Sequence, residues 1–354
     1  MQEITVSARE AGQRMDKYLA RYLSEAPKSF LYKMMRKKNI TLNGKKCEGS
    51  EKLKEGDVLR LFLAEETLAK FRGRSLTEQL SGSEAGERSP DAKGGLSRSG
   101  DEGGASRLAG LFAEGIIYED RNIILFNKPA GLLSQKAAPE DVSAVEWALA
   151  YLREKGELTE EDYRRFHPSV CNRLDRNTSG LLIIGKTMAG LQTMSAILKD
   201  RTVHKDYLCL VEGRVEETRH VRAYLGKDER TNRVTVSESP FCGARPIETW
   251  YRPLECAGGL TRLCVRLVTG RSHKIRAHLA YLGHPIVGDS KYAGPDCVQR
   301  WRRLGVRRQL LHAWKLTFPE ITGELSFLSG RVFTAPEPEL FKRTMSKNER
   351  NRDC

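Results

Sequence analysis

Along the N-terminal stretch RMDKYLARYLSEAPKSFLYKMMRKKNITLNGKK, Met15, Tyr18, Leu19, Tyr22 and Leu23 fall at i, i+3, i+4, i+7 and i+8. That spacing places them on one face of an amphipathic helix. Pro27 punctuates the helix, and Ser29 is placed to cap a second one that carries Leu31, Met34 and Met35. Ile40-Thr41-Leu42 then meets Asn43-Gly44, a strong two-residue hairpin signal. The chain is expected to open with a small α/β unit over residues 1–63, in the order helix, helix, hairpin.

From residue 64 to 110 the apolar pattern lapses into SGSEAGERSPDAKGGLSRSGDEGGASRLAG, rich in Gly, Ser and mixed charge. Such a segment has little to bury and is expected to be a disordered linker, tethering the first unit without fixing its geometry. Order returns at GIIYEDRNIILFNKPAGLL, where Ile116 to Tyr118 and Ile123 to Phe126 form two short apolar runs. Further strand-like segments follow in GLLIIGKT, DYLCLVEGRV, NRVTVSE, IETWYRPL, LTRLCVRLVTG and GELSFLSG, with helical stretches in SAVEWALAYLREKG and LQTMSAILKD. The alternation predicts an α+β domain over residues 111–335 with a mainly antiparallel mixed sheet, followed by a disordered basic tail over 336–354. No repeat of solenoid length is visible.

Charge narrows the class of partner. The 60 Lys and Arg against 46 Asp and Glu leave a formal net charge of +14, which fits a polyanion such as nucleic acid, an acidic membrane surface, or simply a solvated basic face. Seven cations, Lys28, Lys33, Arg36, Lys37, Lys38, Lys45 and Lys46, gather around the second helix and the hairpin turn, a grouping suited to phosphates. With GQRMDKYLARYL, KSFLYKMMRKKNITLNGKK and LKEGDVLRL, this segment resembles the small RNA-binding module first described in a small-subunit ribosomal protein, the S-four-like domain. Eight scattered cysteines without a C-x-x-C pair point to neither a zinc ribbon nor a disulfide scaffold, and fit reduced thiols. The first residues lack a secretory pattern, and no apolar run approaches the ~18 residues of a membrane helix. A soluble, cytoplasmic, monomeric protein is expected.

The chemistry concentrates in CNRLDRNTSG, where Asp175 lies between Arg173 and Arg176. Guanidinium neighbours favour an ionised carboxylate, suited to nucleophilic attack or to stabilising positive charge at a sugar carbon. The same spacing equally describes a polar turn entering a buried strand, with Asp175 in an Asx-turn and Gly180 easing the backbone.

NRLDRNTSGLLIIGKT resembles the signature of the RluA-type pseudouridine synthases, whose aspartate is the essential catalytic residue. YEDRNIILFNKPAGLL, KDYLCLVEG, TGRSHKIRAHLAYLGHPIVGDSKY and LLHAWKLTF match further family segments in the same order, from about residue 115 to 320. The resemblance implies a pseudouridine synthase fold that isomerises uridine in structured RNA, most readily large-subunit ribosomal RNA, with no metal and no cofactor. It assigns Asp175 as nucleophile, Tyr207 as a stacking face and proton-exchanging phenol, Arg276 as the partner of Asp175, and Ile275 to the pocket wall. Arg173 is implied to move into the space a flipped nucleotide leaves, with Arg176 beside it on the RNA. Thr178, Ser179 and Gly180 are expected to be structural, and Ser272 to cap the helix bearing Arg276. Asn172, Ser272 and Lys274 stand where the family commonly has His, Thr and Gln. His273, His278 and His284 are spaced too unevenly on a helix to share a metal. No phosphate-binding glycine loop precedes a helix after a strand.

Overall fold

The structure, a computed structural model, describes residues 1–81, 101–228, 233–267 and 273–350. The chain divides into two compact units, one of Met1–Leu125, Gln135–Asn172 and Ile183–Ala196, the other of Phe126–Ser134, Arg173–Leu182 and Ile197–Cys354.

The first unit begins with β1 (Gln2–Thr5), α1 (Met15–Tyr22), α2 (Lys28–Arg36), β2 (Ile40–Leu42), β3 (Lys45–Lys46) and β4 (Val58–Leu61). The strands form an antiparallel sheet in the order β1-β4-β2-β3. The α1 stripe is buried as its spacing predicts, through Met15, Tyr18, Leu19 and Tyr22. Asn43 at φ 49° and Gly44 at φ 73° make the hairpin turn, the left-handed pair that matches strand twist. Ser29 is not the cap of α2. The helix starts at Lys28 behind Pro27, whose ring presets φ at −57°.

The segment expected to be a disordered linker is helical where it is described: α3 (Glu65–Phe71), α4 (Leu76–Ser81) and α5 (Asp101–Glu114). Residues 82–100 lie outside the described residues. Leu76 with Leu80, and Leu108 with Phe112, are buried pairs one helical turn apart. Two such residues suffice when other elements complete the apolar surface. The unit continues through β5 (Ile116–Glu119), β6 (Ile123–Lys128), α6 (Ala144–Glu154), α7 (Glu160–Arg165), β7 (Ser169–Val170), β8 (Ser179–Gly185) and α8 (Met188–Lys199), of which β6, β8 and α8 pass into the second unit. The Glu160 carboxylate accepts from the Leu76 and Thr77 backbone amides at 2.8 and 3.0 Å, anchoring the start of α4. Nor do residues 1–63 swing on a tether: Met188 N donates to Arg9 O at 2.8 Å and Gln192 Nε2 to Gly12 O at 3.1 Å.

The second unit adds β9 (His204–Glu212), β10 (Arg219–Asp228), β11 (Arg233–Ser237), β12 (Arg245–Ala257), β13 (Leu260–Leu267), α9 (Lys274–Tyr281), α10 (Pro295–Arg303), β14 (Leu311–Thr317), β15 (Val332–Thr334) and α11 (Glu339–Arg350). Its sheet runs β11-β10-β12-β13-β9-β14-β8, with β15 against β14. The β14–β8 pair is parallel and the other pairs are antiparallel, so the α+β class with a mainly antiparallel mixed sheet is what the chain adopts. GELSFLSG is not a strand but a 3-10 helix, Gly323–Leu328, because Leu325 and Leu328 bury at a three-residue interval rather than alternating. The basic tail is likewise helical in α11, where Phe341 and Met345 are buried at i, i+4.

Candidate active site

The loop that carries Asp175 leads into β8, and its shape is set on both sides of the aspartate. Thr178 N donates to Asp175 O at 3.0 Å, closing a turn. Gly180, at φ 105°, then lets β8 approach β14: a Cβ there would stand 2.2 Å from Ala313 O, so no other residue fits. Ser179 Oγ meets His312 Nδ1 at 2.8 Å. These contacts support the structural reading of Thr178, Ser179 and Gly180.

The segment after β6 pins the residues flanking Asp175. Lys128 is fully buried, and its Nζ donates to the carbonyls of Pro129, Leu132 and Arg176 at 3.0, 2.7 and 3.1 Å. Gly131 N also donates to Arg176 O at 2.8 Å. On the other side, Ser134 Oγ donates to Leu174 O and accepts from Leu174 N, both at 3.0 Å. Burial brings Lys128 down to about 7, against the pull of the Asp175 charge.

Arg276 comes from α9, which begins after His273 in the left-handed region at φ 57°. Its Nη1 donates to Asp175 Oδ2 at 3.0 Å, while Nε and Nη2 form a fork on Asp289 Oδ2 and Oδ1 at 2.7 and 2.9 Å. Asp289 is fully buried and its Oδ1 also accepts from the Lys291 and Tyr292 amides at 2.9 and 3.2 Å. The Tyr292 ring lies 5.3 Å from the guanidinium carbon. Burial alone would lower Arg276, but the hydrogen bonds and charge of Asp289, joined by Asp175, raise it, so the guanidinium stays charged. His273 Nδ1 meets Tyr292 OH at 2.8 Å and its Nε2 stands 3.8 Å from Asp175 Oδ2. Burial lowers the imidazole, with Asp175 opposing and Arg276 reinforcing the shift.

Register brings in Tyr207. Gly180 on β8 pairs with Ala313 on β14, and Ala313 pairs with Tyr207 on β9. Tyr207 is 8% exposed; burial first, and then the Asp175 charge, pushes its phenol upward. It therefore stays protonated at neutral pH. Ile275 is buried on α9.

Neither arginine next to Asp175 in sequence is the one that meets its carboxylate. Arg173 and Arg176 are exposed, and among the described residues Arg173 makes no ion pair. The guanidinium that meets Asp175 is that of Arg276, which is 101 positions away. Asn172 accepts from Ile183 N at 2.8 Å through its side chain. Lys274 donates to Glu248 O, and burial brings it down to about 7. Ser272 lies outside the described residues. The three histidines go separate ways, His278 to Thr249 Oγ1 and His284 to Glu212 O. In the first unit Lys28, Lys33, Arg36, Lys37, Lys38, Lys45 and Lys46 are all exposed, and among the described residues none is ion-paired.

Sequence reading missed Asp289, Lys128, Ser134 and Tyr292. The available signal was an acid, Asp289, in an otherwise apolar turn after Gly288, and a lysine ending the apolar run of β6.

The family profile described as RNA pseudouridylate synthase matches residues 122–281. Ribosomal large subunit pseudouridine synthase C of Haemophilus influenzae is 31% identical over 319 residues, covering 89% of this chain and 86% of that protein. The protein of the same name from Escherichia coli is 30% identical over 97% of this chain and 95% of its own length. Among solved structures, human RNA pseudouridylate synthase domain containing 4 superposes with a TM-score of 0.56 at 19% identity, over 69% of this chain and 96% of that one, a likeness of fold. Identity of this order, sustained from end to end and joined by the same fold, places the chain in the RNA pseudouridylate synthase family, isomerases that act on RNA.

Proposed function

We propose that the enzyme converts specific uridines of large-subunit ribosomal RNA into pseudouridine, with Asp175 as the nucleophile. The substrate assignment rests on the names of the relatives that match nearly the whole chain. The observation that carries the catalytic assignment is the asymmetry of the Asp175 carboxylate. Oδ2 is tied to Arg276, Oδ1 has no hydrogen-bond partner among the described residues, and the side chain is 27% exposed whereas that of Arg276 is 8% exposed. A carboxylate oriented through one oxygen and open at the other is built to attack.

In this reading the target nucleotide leaves its stack and enters beside Asp175. Oδ1 bonds to the nucleoside and the N1–C1′ bond breaks; the uracil turns against Tyr207, C5 bonds to C1′ while the bond to Oδ1 breaks and restores the carboxylate, and the proton lost from C5 is relayed through the phenol to N1. The Arg276 hydrogen bond keeps the carboxylate oriented toward the bound nucleotide. Exposed Arg173 fills the space the base leaves, Arg176 adds charge to the RNA, and Ile275 forms part of the pocket wall. The seven cations around α2 take backbone phosphates in the manner of an S-four-like module. In this reading the enzyme is a cytoplasmic monomer that needs no cofactor; free thiols at the described cysteines fit a reducing compartment. No helix among the described residues is long and apolar enough to cross a membrane.

Asp175→Asn tests the assignment. RNA affinity is expected within about twofold of the parent, because the Asn is nearly isosteric and the phosphate contacts are untouched. Carbodiimide mapping of large-subunit ribosomal RNA should show no pseudouridine formed by the purified variant. Persistent modification overturns the nucleophile.

A further inference from the structure

We propose a second RNA-contact site, a cleft within the first unit that seats a nucleotide phosphate of the substrate strand. It rests on the RNA substrate proposed above, but uses neither the α2 cations nor any residue near Asp175. The cleft holds about 510 Å³ between α1, the loop ahead of α4, and α7, within the ~300–1,000 Å³ range of small-ligand sites. Its walls carry Lys17, Arg21, Arg74 and Arg164 against one carboxylate, Glu25.

Most of this charge lacks a counter-ion inside the protein. Among the described residues Lys17 and Arg74 make no ion pair, and both are exposed. Arg21, half-buried, meets the amide oxygen of Gln13 at 3.3 Å and lies 6.0 Å from the centre of the Phe166 ring, rather than meeting a carboxylate. Only Arg164 is paired, with Glu161 at 3.6 Å. Desolvating a guanidinium without an anion is unfavourable, and a phosphate in the cleft supplies that anion with the fork geometry arginine favours. The wall also carries a flat ring: His167, half-buried, stacks on buried Tyr163 with ring centroids 4.1 Å apart and planes within 9°, which leaves only the His167 side for a base. Cations beside stacked rings are the pairing that holds a nucleotide of single-stranded RNA.

The same chemistry would serve a free nucleotide, so the test has two arms, both on the full-length protein. In the first, binding to a large-subunit ribosomal RNA transcript is followed by fluorescence anisotropy from 50 to 300 mM salt. Lys17→Gln with Arg74→Gln should reduce the log K against log salt slope by about 1 to 2 and raise KM, while the charge-keeping pair Lys17→Arg with Arg74→Lys retains the slope. Both positions are exposed, so folding is expected to survive, and circular dichroism checks it. An unchanged slope in folded Gln variant protein overturns the proposal. In the second arm, UMP binding is measured by calorimetry. UMP binding that the Gln pair abolishes, with the RNA slope intact, makes the cleft a free-nucleotide site and overturns the RNA assignment. Failure of the proposed function shows separately, as no pseudouridine formed on the transcript by the parent enzyme.

Discussion

At the scale of single residues, the site depends on which carboxylate holds Arg276. Asp175 engages one nitrogen, whereas Asp289 takes the other two in a fork and is itself fixed by two backbone amides. Asp289 thus orients the arginine that orients Asp175, the proposed nucleophile, a positioning role. Asp289→Asn keeps the shape but removes the charge and turns one acceptor into a donor facing another donor. Turnover is expected to fall about 100-fold, the scale of a misplacement of roughly 1 Å, with RNA affinity unchanged; single-turnover kinetics with a parallel binding titration check this split. Asp175, Arg276 and Tyr207 were legible because each lies inside a family motif. Asp289 was not, since nothing in GHPIVGDSKY states that its carboxylate turns inward toward a helix begun 15 residues earlier.

Among the elements, the segment from Phe126 to Ser134 works as a clamp on the catalytic loop. Lys128 reaches the carbonyl of Arg176, and Ser134 brackets Leu174. Lys128→Met retains apolar bulk while taking the Nζ donor from the Pro129 and Leu132 carbonyls and leaving Arg176 O with the Gly131 amide alone. Losing such bonds costs about 1–3 kcal/mol each in principle, partly offset because the buried ammonium no longer has to be desolvated. We expect a net loss of about 3 kcal/mol in urea unfolding, and a fall in kcat that exceeds the change in KM because the loop loses its shape. The hydrophobic pattern marked β6 correctly but gave no hint of the clamp, for a terminal lysine on a strand reads as a solvated end. Composition misjudged α3, α4 and α5 for a related reason: a helix with only two buried apolar residues per face looks like a linker until the surface it covers is known.

For the whole molecule, burial of imidazoles sets an acid limit. His278 and His312 are fully buried, and burial brings each down to about 4 from an ordinary 6.5. As pH falls from 6.5 toward 4, the unfolded chain takes up protons that the folded one refuses, so stability falls with falling pH. Above 6.5 the two histidines contribute no slope. Each is expected to account for about 1–3 kcal/mol of acid destabilisation. Urea midpoints should drop between pH 6.5 and 4.5, and His278→Gln should shallow that drop; a pH-independent midpoint across the window refutes this account. By itself the sequence determined which segments are strands and helices wherever a period of 2 or 3.6 was strong, and the Asn43-Gly44 hairpin, because these are local properties of side-chain spacing and backbone freedom; the class of chemistry came from the resemblance of its motifs to a known family, since the spacing around Asp175 equally describes a polar turn. The family resemblance had already paired Arg276 with Asp175, across 101 positions; only the tertiary structure decided that Asp289 shares that guanidinium and which lysine holds the neighbouring carbonyl, across 48. Periodicity says that a face is buried but not what lies opposite it; that is set by strand register and loop closure, which bring together residues far apart in the chain.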